Sequence, residues 1–296
     1  MIQGRIMKGI AGFYYVYIED RGLYECRAKG IFRNRKLRPM TGDRAEIEIL
    51  DEREKKGSLV NLLPRSTELI RPAVANVDQA LVIFAAAKPR PSFSLLDRFL
   101  IMMDRQSVET IICFNKKDEA SQEELQTLGR IYGGCQSRVL FISARYEEGI
   151  ESVRELLRGR TTTVAGPSGV GKSTLINLLV PEAGMETGDI SGKIDRGRHT
   201  TRHSELFRME AGSYIFDTPG FSSLELDDME KSELRYSFPE FHAQEGNCRF
   251  QGCLHAQEPG CAVKEAVEAG RISRERYESY LALLLELRER EKRRYL

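Results

Sequence analysis

No stretch of this 296-residue chain is apolar for long enough to cross a bilayer. The two best runs, Ala80 to Ala87 and Tyr280 to Leu287, reach about half of the roughly 20 residues that a spanning helix needs. A secretory leader is not evident either. Arg5 and Lys8 precede the run Ile10 to Ile18, but that run is aromatic and β-branched, ends in Glu19-Asp20 and has no small-residue cleavage site. It reads as a strand, and the chain is expected in the cytoplasm with no membrane partner. Net charge is nearly absent, with 45 Lys and Arg against 44 Asp and Glu, which taken alone argues for no partner. Low complexity is absent as well; 41% hydrophobic residues exclude a disordered or fibrous chain and leave room for two or three cored domains. Cysteine is modest at six, and in a cytosolic chain these are thiols or metal ligands before they are disulfides. Cys26, Cys113 and Cys135 are scattered and read as buried or inert.

What is present is organised around Gly166-Pro167-Ser168-Gly169-Val170-Gly171-Lys172-Ser173-Thr174. This fits G-x-x-x-x-G-K-[ST], led in by the β-branched run Thr161 to Ala165 and led out by the helical pattern Leu175 to Leu179. Glycines let successive N–H groups turn toward phosphate oxygens, and the following helix adds the positive end of its dipole. Lys172 is placed to reach the β- and γ-phosphates, and Ser173 to ligate Mg²⁺.

A second motif chooses the base. Asn115-Lys116-Lys117-Asp118 ends an apolar strand, and Asp118 can accept from the N1–H and exocyclic amine of guanine, a donor pair that adenine lacks. An ATPase is therefore disfavoured. Asn115 is expected on the N7 side, with the Lys116 stem along the ring and Lys117 completing the loop, while Ser143-Ala144 offers a backbone N–H to the guanine O6. After Pro181 comes a long polar segment, Glu186 to Lys193 and then Gly197-Arg198-His199-Thr200-Thr201, with the composition of a switch loop. One of Thr200 and Thr201 should supply a second hydroxyl to Mg²⁺. The hairpin Glu205 to Met209 and Ser213 to Phe216 delivers Asp217-Thr218-Pro219-Gly220, in which Asp217 completes the Mg²⁺ shell through water and the Gly220 N–H senses the γ-phosphate. Phe221 follows where a water-orienting glutamine is common, so His199 is either the group that positions the attacking water or a solvated loop residue. The base motif precedes the phosphate loop, the order of a circularly permuted GTPase; joining old termini and cutting elsewhere preserves every strand position.

The flanks carry different signals. Residues 1–65 contain strand patterns at Tyr14 to Ile18, Leu23 to Ala28, Arg44 to Ile49 and Ser58 to Leu63, as in a small oligonucleotide-binding (OB-fold) β-barrel. That segment holds 14 Lys and Arg against 9 Asp and Glu. Its loop Arg33 to Arg38 is either a contact for nucleic-acid phosphates or a solvated charged turn. Tyr14, Tyr15 and Tyr17 either stack on bases or fill the core. Residues 66–225 alternate strands and helices around a mostly parallel sheet. Residues 226–296 read as helical, with Cys248, Cys253, His255 and Cys261 spaced C-x₄-C-x-H-x₅-C. Three thiolates and an imidazole make one closed, structural Zn²⁺ set, with unrelated thiols as the alternative. The final helix ends in Glu291-Lys292-Arg293-Arg294, a basic cap that touches RNA or complements the helix dipole.

Taken in this order, with a barrel before and the cysteine-histidine set after, the motifs resemble the RsgA family of GTPases that depend on the small ribosomal subunit. The resemblance covers essentially the whole chain. It implies a bacterial factor acting late in small-subunit assembly, whose hydrolysis of GTP to GDP is stimulated by the subunit and whose barrel and zinc domain contact ribosomal RNA. A monomer is expected. The rival reading is a nucleotide-gated RNA-binding module in which hydrolysis is incidental.

Overall fold

The computed structural model describes residues 1–30, 32, 37–70, 72–185, 204–217, 226 and 229–294. Strands β1 (Ile2–Ile10), β2 (Phe13–Ile18), β3 (Gly22–Ala28), β4 (Arg44–Asp51) and β5 (Lys56–Leu62) form a closed barrel in the order β1-β2-β3-β5-β4. β1 pairs antiparallel with both β2 and β4, which closes the ring, and β3 runs parallel to β5. Alternation decides which side chains fill it: Val16 and Ile18, Tyr24 and Cys26, Ala45 and Ile47 are each two residues apart and buried together with Ile6 and Leu59. The run Ile10 to Ile18, which reads as one strand, is the turn and second arm of a hairpin. Ala11 (φ 50°) and Gly12 (φ 85°) both sit left-handed, the geometry of a tight two-residue connection.

A short pair, β6 (Glu68–Leu69) and β7 (Val74–Ala75), follows. Then β8 (Gln79–Ala85), β9 (Glu109–Asn115), β10 (Arg138–Phe141), β11 (Thr161–Ala165), β12 (Glu205–Arg208) and β13 (Tyr214–Asp217) build a sheet of order β10-β9-β8-β11-β13-β12. β10 and β9 are parallel, as are β11 and β13; β12 is antiparallel to β13. β8 and β11 are buried at every position, the signature of strands covered on both faces. Among the described residues, the helices of seven residues or more are α1 (Phe93–Arg105), α2 (Gln122–Tyr132), α3 (Ile150–Leu157), α4 (Lys172–Leu179), α5 (Ala262–Glu268) and α6 (Arg274–Arg294), and a single helical turn takes Pro239–His242. α2 begins only at Gln122, because Ser121 caps it reciprocally with Glu124 and a separate 3₁₀ turn takes Lys117–Glu119. Among the described residues no helix is long and apolar enough to cross a membrane.

The chain folds as two compact units. The first comprises Met1–Leu81, Gln106–Val108 and Ile150–Phe221. Within it the barrel is fastened to β12 by Lys8 to Glu205 (3.0 Å), Arg208 to Glu19 (2.7 Å) and the Thr41 hydroxyl donating to the Ser204 carbonyl (3.1 Å). Arg5 donates to Thr161 Oγ1 (2.8 Å) and to the Asn76 carbonyl (3.1 Å) and lies over the Tyr214 ring. Gly42 (φ 93°) admits no side chain: a Cβ there would stand 2.1 Å from the Ala75 carbonyl oxygen and 2.7 Å from the Phe216 ring. Tyr17 lies beneath the Arg208 guanidinium and Tyr15 donates to Glu25, so both rings are engaged within the protein.

The second unit comprises Val82–Arg105, Glu109–Gly149 and Ser222–Leu296. Its core joins Ile101 of α1 to Phe238, Phe241, Val263, Tyr280, Leu283 and Leu284. Arg276 of α6 is 1% exposed, donates to Asp97 of α1 and forks onto both oxygens of Glu240 (2.7 and 3.2 Å). Burial alone would lower the Arg276 pKa, but Asp97 and Glu240 together hold it above its ordinary value.

Candidate functional site

In the first unit, β11 runs into the loop Gly166 to Gly171, and β13, its parallel neighbour, ends at Asp217. The two strands thus release the loop and the carboxylate at the same edge, where ligands bind in open α/β sheets. Gly166 (φ 140°), Gly169 (φ 80°) and Gly171 (φ 91°) occupy conformations that a side chain resists, and Gly171 caps α4. Val170 is buried, pinning the loop from beneath, while Ser168 and Gly169 are exposed. The Lys172 ammonium donates to the carbonyls of Gly166 (2.9 Å) and Pro167 (2.5 Å). It therefore folds back across its own loop, bonded to neutral oxygens that an anion would outcompete. Burial pushes the Lys172 pKa down and the charge of Asp217 partly restores it. Burial likewise pushes the Asp217 carboxyl up, against the pull of Lys172, and Glu205, its register partner on β12, pushes the same way. A half-buried carboxylate held above its usual range is a group that a cation would stabilise, which fits Mg²⁺.

In the second unit, β9 and β10 are parallel neighbours, and the loops leaving them are knitted together. Asn115 is 2% exposed, and its Oδ1 accepts the backbone N–H of Ala144 at 2.9 Å. The Lys117 N–H donates to the Ile142 carbonyl, and Ser143 and Glu148 exchange both backbone hydrogen bonds. The Lys117 ammonium pairs with Glu148 at 2.8 Å. Lys116 takes a left-handed conformation (φ 59°) and donates its ammonium to the Lys88 carbonyl at 3.1 Å. Asp118, in the first turn of the 3₁₀ segment, is exposed. The Asn-Lys-x-Asp loop and Ser143-Ala144 are thus one assembled surface with the carboxylate free on top. Glu148 and Lys88 belong to it, and no motif spacing identifies either; only the adjacency of β10, β9 and β8 in the sheet does.

Cys248, Cys253, His255 and Cys261 converge, also in the second unit, with ligand atoms all within 4.8 Å of one another. His255 Nδ1 lies 3.6 Å from Cys248 Sγ and 3.4 Å from Cys261 Sγ, and the His255 N–H donates to Cys253 Sγ at 3.4 Å. His255 sits left-handed (φ 54°), held by Tyr277, whose hydroxyl donates to the His255 carbonyl at 2.7 Å. Burial pushes the Cys253 thiol up to about 12 and Cys261 upward, and pushes the His255 imidazole down. Desolvated thiols in such a cluster need a bound cation to ionise, so the donor chemistry fits a metal centre. His242 is not in the set; its Nε2 lies 3.1 Å from the Tyr236 carbonyl oxygen. Cys26, Cys113 and Cys135 are buried and free, as their scatter implies.

His199, Thr200, Thr201, Gly220 and Phe221, with the rest of the switch segment and Arg33 to Lys36 of the basic loop, lie outside the described residues.

The RsgA GTPase family profile matches residues 62–227, and the RsgA N-terminal domain profile matches residues 3–58. The chain is 54% identical over 299 residues to the small ribosomal subunit biogenesis GTPase RsgA of Agathobacter rectalis, covering 98% of this chain and 99% of that protein. It is 46% identical over 295 residues to the protein of the same name from Alkaliphilus metalliredigens, covering 100% of each. The crystal structure of YjeQ from Thermotoga maritima superimposes with a TM-score of 0.81 at 36% identity, over 97% of this chain and 98% of that one. That of YloQ, described as a circularly permuted GTPase, superimposes with a TM-score of 0.77 at 37% identity, over 98% and 96%.

Proposed function

The chain belongs to the RsgA family of circularly permuted GTPases, and from that premise we propose that it hydrolyses GTP to GDP in small ribosomal subunit biogenesis, as its relatives are named for doing. The observation that carries the residue-level reading is the phosphate loop, where Lys172 is bonded to two carbonyls of its own turn beside Asp217. In this reading Gly166 to Thr174 cradle the phosphates, and Lys172 exchanges the Gly166 and Pro167 carbonyls for β- and γ-phosphate oxygens. Ser173 and Asp217, with Thr200 or Thr201, would hold Mg²⁺; when bound, that ion offsets charge developing on the phosphates. Asp118 reads the guanine edge, and Asn115, Lys116, Lys117, Ser143 and Ala144 shape its seat. His199 positions the attacking water in place of the glutamine that Phe221 replaces, and Gly220 senses the γ-phosphate.

We further assign residues 1–65 and 226–296 to RNA contact on the small subunit and residues 66–225 to the nucleotide, in a cytoplasmic monomer. Cys248, Cys253, His255 and Cys261 would hold one Zn²⁺, and four protein donors leave it no open position for chemistry. The test is single-turnover GTP hydrolysis with and without purified small subunits. Stimulation by the subunit is expected, and His199→Ala should slow the chemical step while leaving nucleotide affinity intact. An unstimulated enzyme would instead favour a nucleotide-gated RNA-binding module.

A further inference from the structure

Beside the cysteine-histidine cluster, within the second unit, opens a cleft of about 270 Å³ that the reading above does not use. Two exposed aromatic residues line it, Tyr236 (49% exposed) and Phe250 (45%). Each carries a guanidinium on its face: Arg235 lies 4.7 Å from the Tyr236 ring centre and Arg249 lies 5.5 Å from that of Phe250. The lining charges are these two arginines against Glu245, with His242 adding a donor or acceptor. Exposed rings cost hydration free energy, and two on one cationic cleft are a feature to be explained by a ligand.

The cleft is built rather than incidental. Phe250 and Arg249 sit between two of the clustered thiols, Cys248 and Cys253, so whatever those thiols hold fixes both ends of the segment. The Arg249 N–H donates to the Gly260 carbonyl at 2.9 Å, and the Arg249 stem lies so close over Gly260 that a Cβ there would stand 3.1 Å from it. Arg235 donates to the Cys253 carbonyl at 3.1 Å and to the Tyr236 hydroxyl at 2.5 Å, which orients that ring.

We propose that this cleft captures one unpaired nucleobase of single-stranded RNA, stacked against Phe250 and Tyr236, with the flanking phosphates on Arg249 and Arg235. The volume falls below the roughly 300–1,000 Å³ of sites for drug-sized ligands, which suits a single planar group and not a folded peptide segment. Rings and guanidinium planes together are the surface that splayed bases stack on, whereas an A-form duplex keeps its bases inside. An acidic peptide would answer the arginines and leave the rings exposed. The inference rests on the RNA of the small subunit being this protein's partner, and it narrows that contact to a base and a place.

The test uses the full-length protein and a ten-nucleotide uridine RNA with one central 2-aminopurine, whose fluorescence is quenched by stacking. Binding with quenching is expected of the single strand, whereas the annealed duplex, whose own stacking already quenches the probe, should fail to bind in a filter-binding assay. Phe250→Ala and Tyr236→Ala should each weaken binding about 5- to 150-fold, and Phe250→Tyr should restore it. Phe250→Leu separates stacking from mere cover and should behave as the alanine variant does. Bound metal and unstimulated GTP hydrolysis are measured on every variant to show that each is folded. Equal quenching in wild type and Phe250→Ala, binding of the duplex as tight as that of the single strand, or no quenching at all while small subunits still stimulate hydrolysis would each overturn the cleft alone. Loss of that stimulation in the wild-type protein would overturn the functional reading instead.

Discussion

The Asn115 side-chain oxygen accepts the Ala144 N–H at 2.9 Å, joining two loops 29 residues apart in the chain. Both partners are buried, so Asn115→Ala leaves an N–H with neither water nor acceptor. The expected cost is about 1–3 kcal/mol of stability, together with at least a tenfold loss of guanine-nucleotide affinity as the seat loosens. Thermal melting and nucleotide titration measure the two effects.

Asp118 is exposed, and in the function proposed above it acts only on a bound base. Asp118→Asn should leave the melting temperature within experimental error, weaken GTP by at least tenfold and admit xanthine nucleotides, whose edge offers an acceptor where guanine offers a donor. Equal affinity of the variant for GTP and its xanthine analogue would satisfy this expectation; unchanged GTP preference would contradict it.

Lys172 and Asp217 predict a proton signature of binding. The Lys172 pKa is lowered by burial, and phosphate oxygens would raise it, so nucleotide binding on the alkaline side of neutrality should take up protons. The Asp217 carboxyl is raised by burial, and a divalent cation would lower it, so binding with Mg²⁺ on the acid side should release protons. Calorimetry in buffers of different ionisation enthalpy reads both signs. Lys172→Met should remove the alkaline uptake along with most triphosphate affinity.

Chelation tests the cysteine-histidine centre. One Zn²⁺ per chain is expected, and its removal should expose the three clustered thiols to a thiol reagent, while Cys26, Cys113 and Cys135 stay protected until the chain unfolds. Cys261→Ala should lower metal stoichiometry without altering the exposed Asp118.

Arg276 carries a further load in the second unit. Replacing it by Met strands the buried Asp97, and a broken buried ion pair costs about 3–5 kcal/mol. Combining Arg276→Met with Asp97→Leu should recover only part of that loss, because the buried pair then leaves the core together while the Glu240 carboxylate is still left without its guanidinium; melting curves of the three variants decide it.

Legibility in the sequence followed the range of the physics involved. Strands β3, β11, β12 and β13 were readable to within a residue or so, since alternation and β-branched runs are local. The phosphate and base motifs were readable because glycine, lysine and carboxylate chemistry is tied to short spacing. The first hairpin was not: β1 interleaves Gly4, Arg5, Lys8 and Gly9 with its apolar positions, and the turn at Ala11-Gly12 has no Asn-Gly signature. Nor could spacing reveal that Arg208 would cover Tyr17, or that Glu148 would close on Lys117, because the first pair meets only where the barrel packs on β12 and the second only where β10 lies beside β9.

The fastening of the barrel to β12 has a mechanical consequence. β12 follows the polar segment that ends at Ser204, and it is hydrogen-bonded along its length to β13, about 4.8 Å away, whose last residue is Asp217. Lys8, Glu19 and Thr41 grip that intervening strand at both ends. A load placed on the barrel therefore travels to the carboxylate across a single strand's width, with no slack linker in the path, so that the two ends of the unit are geared rather than tethered.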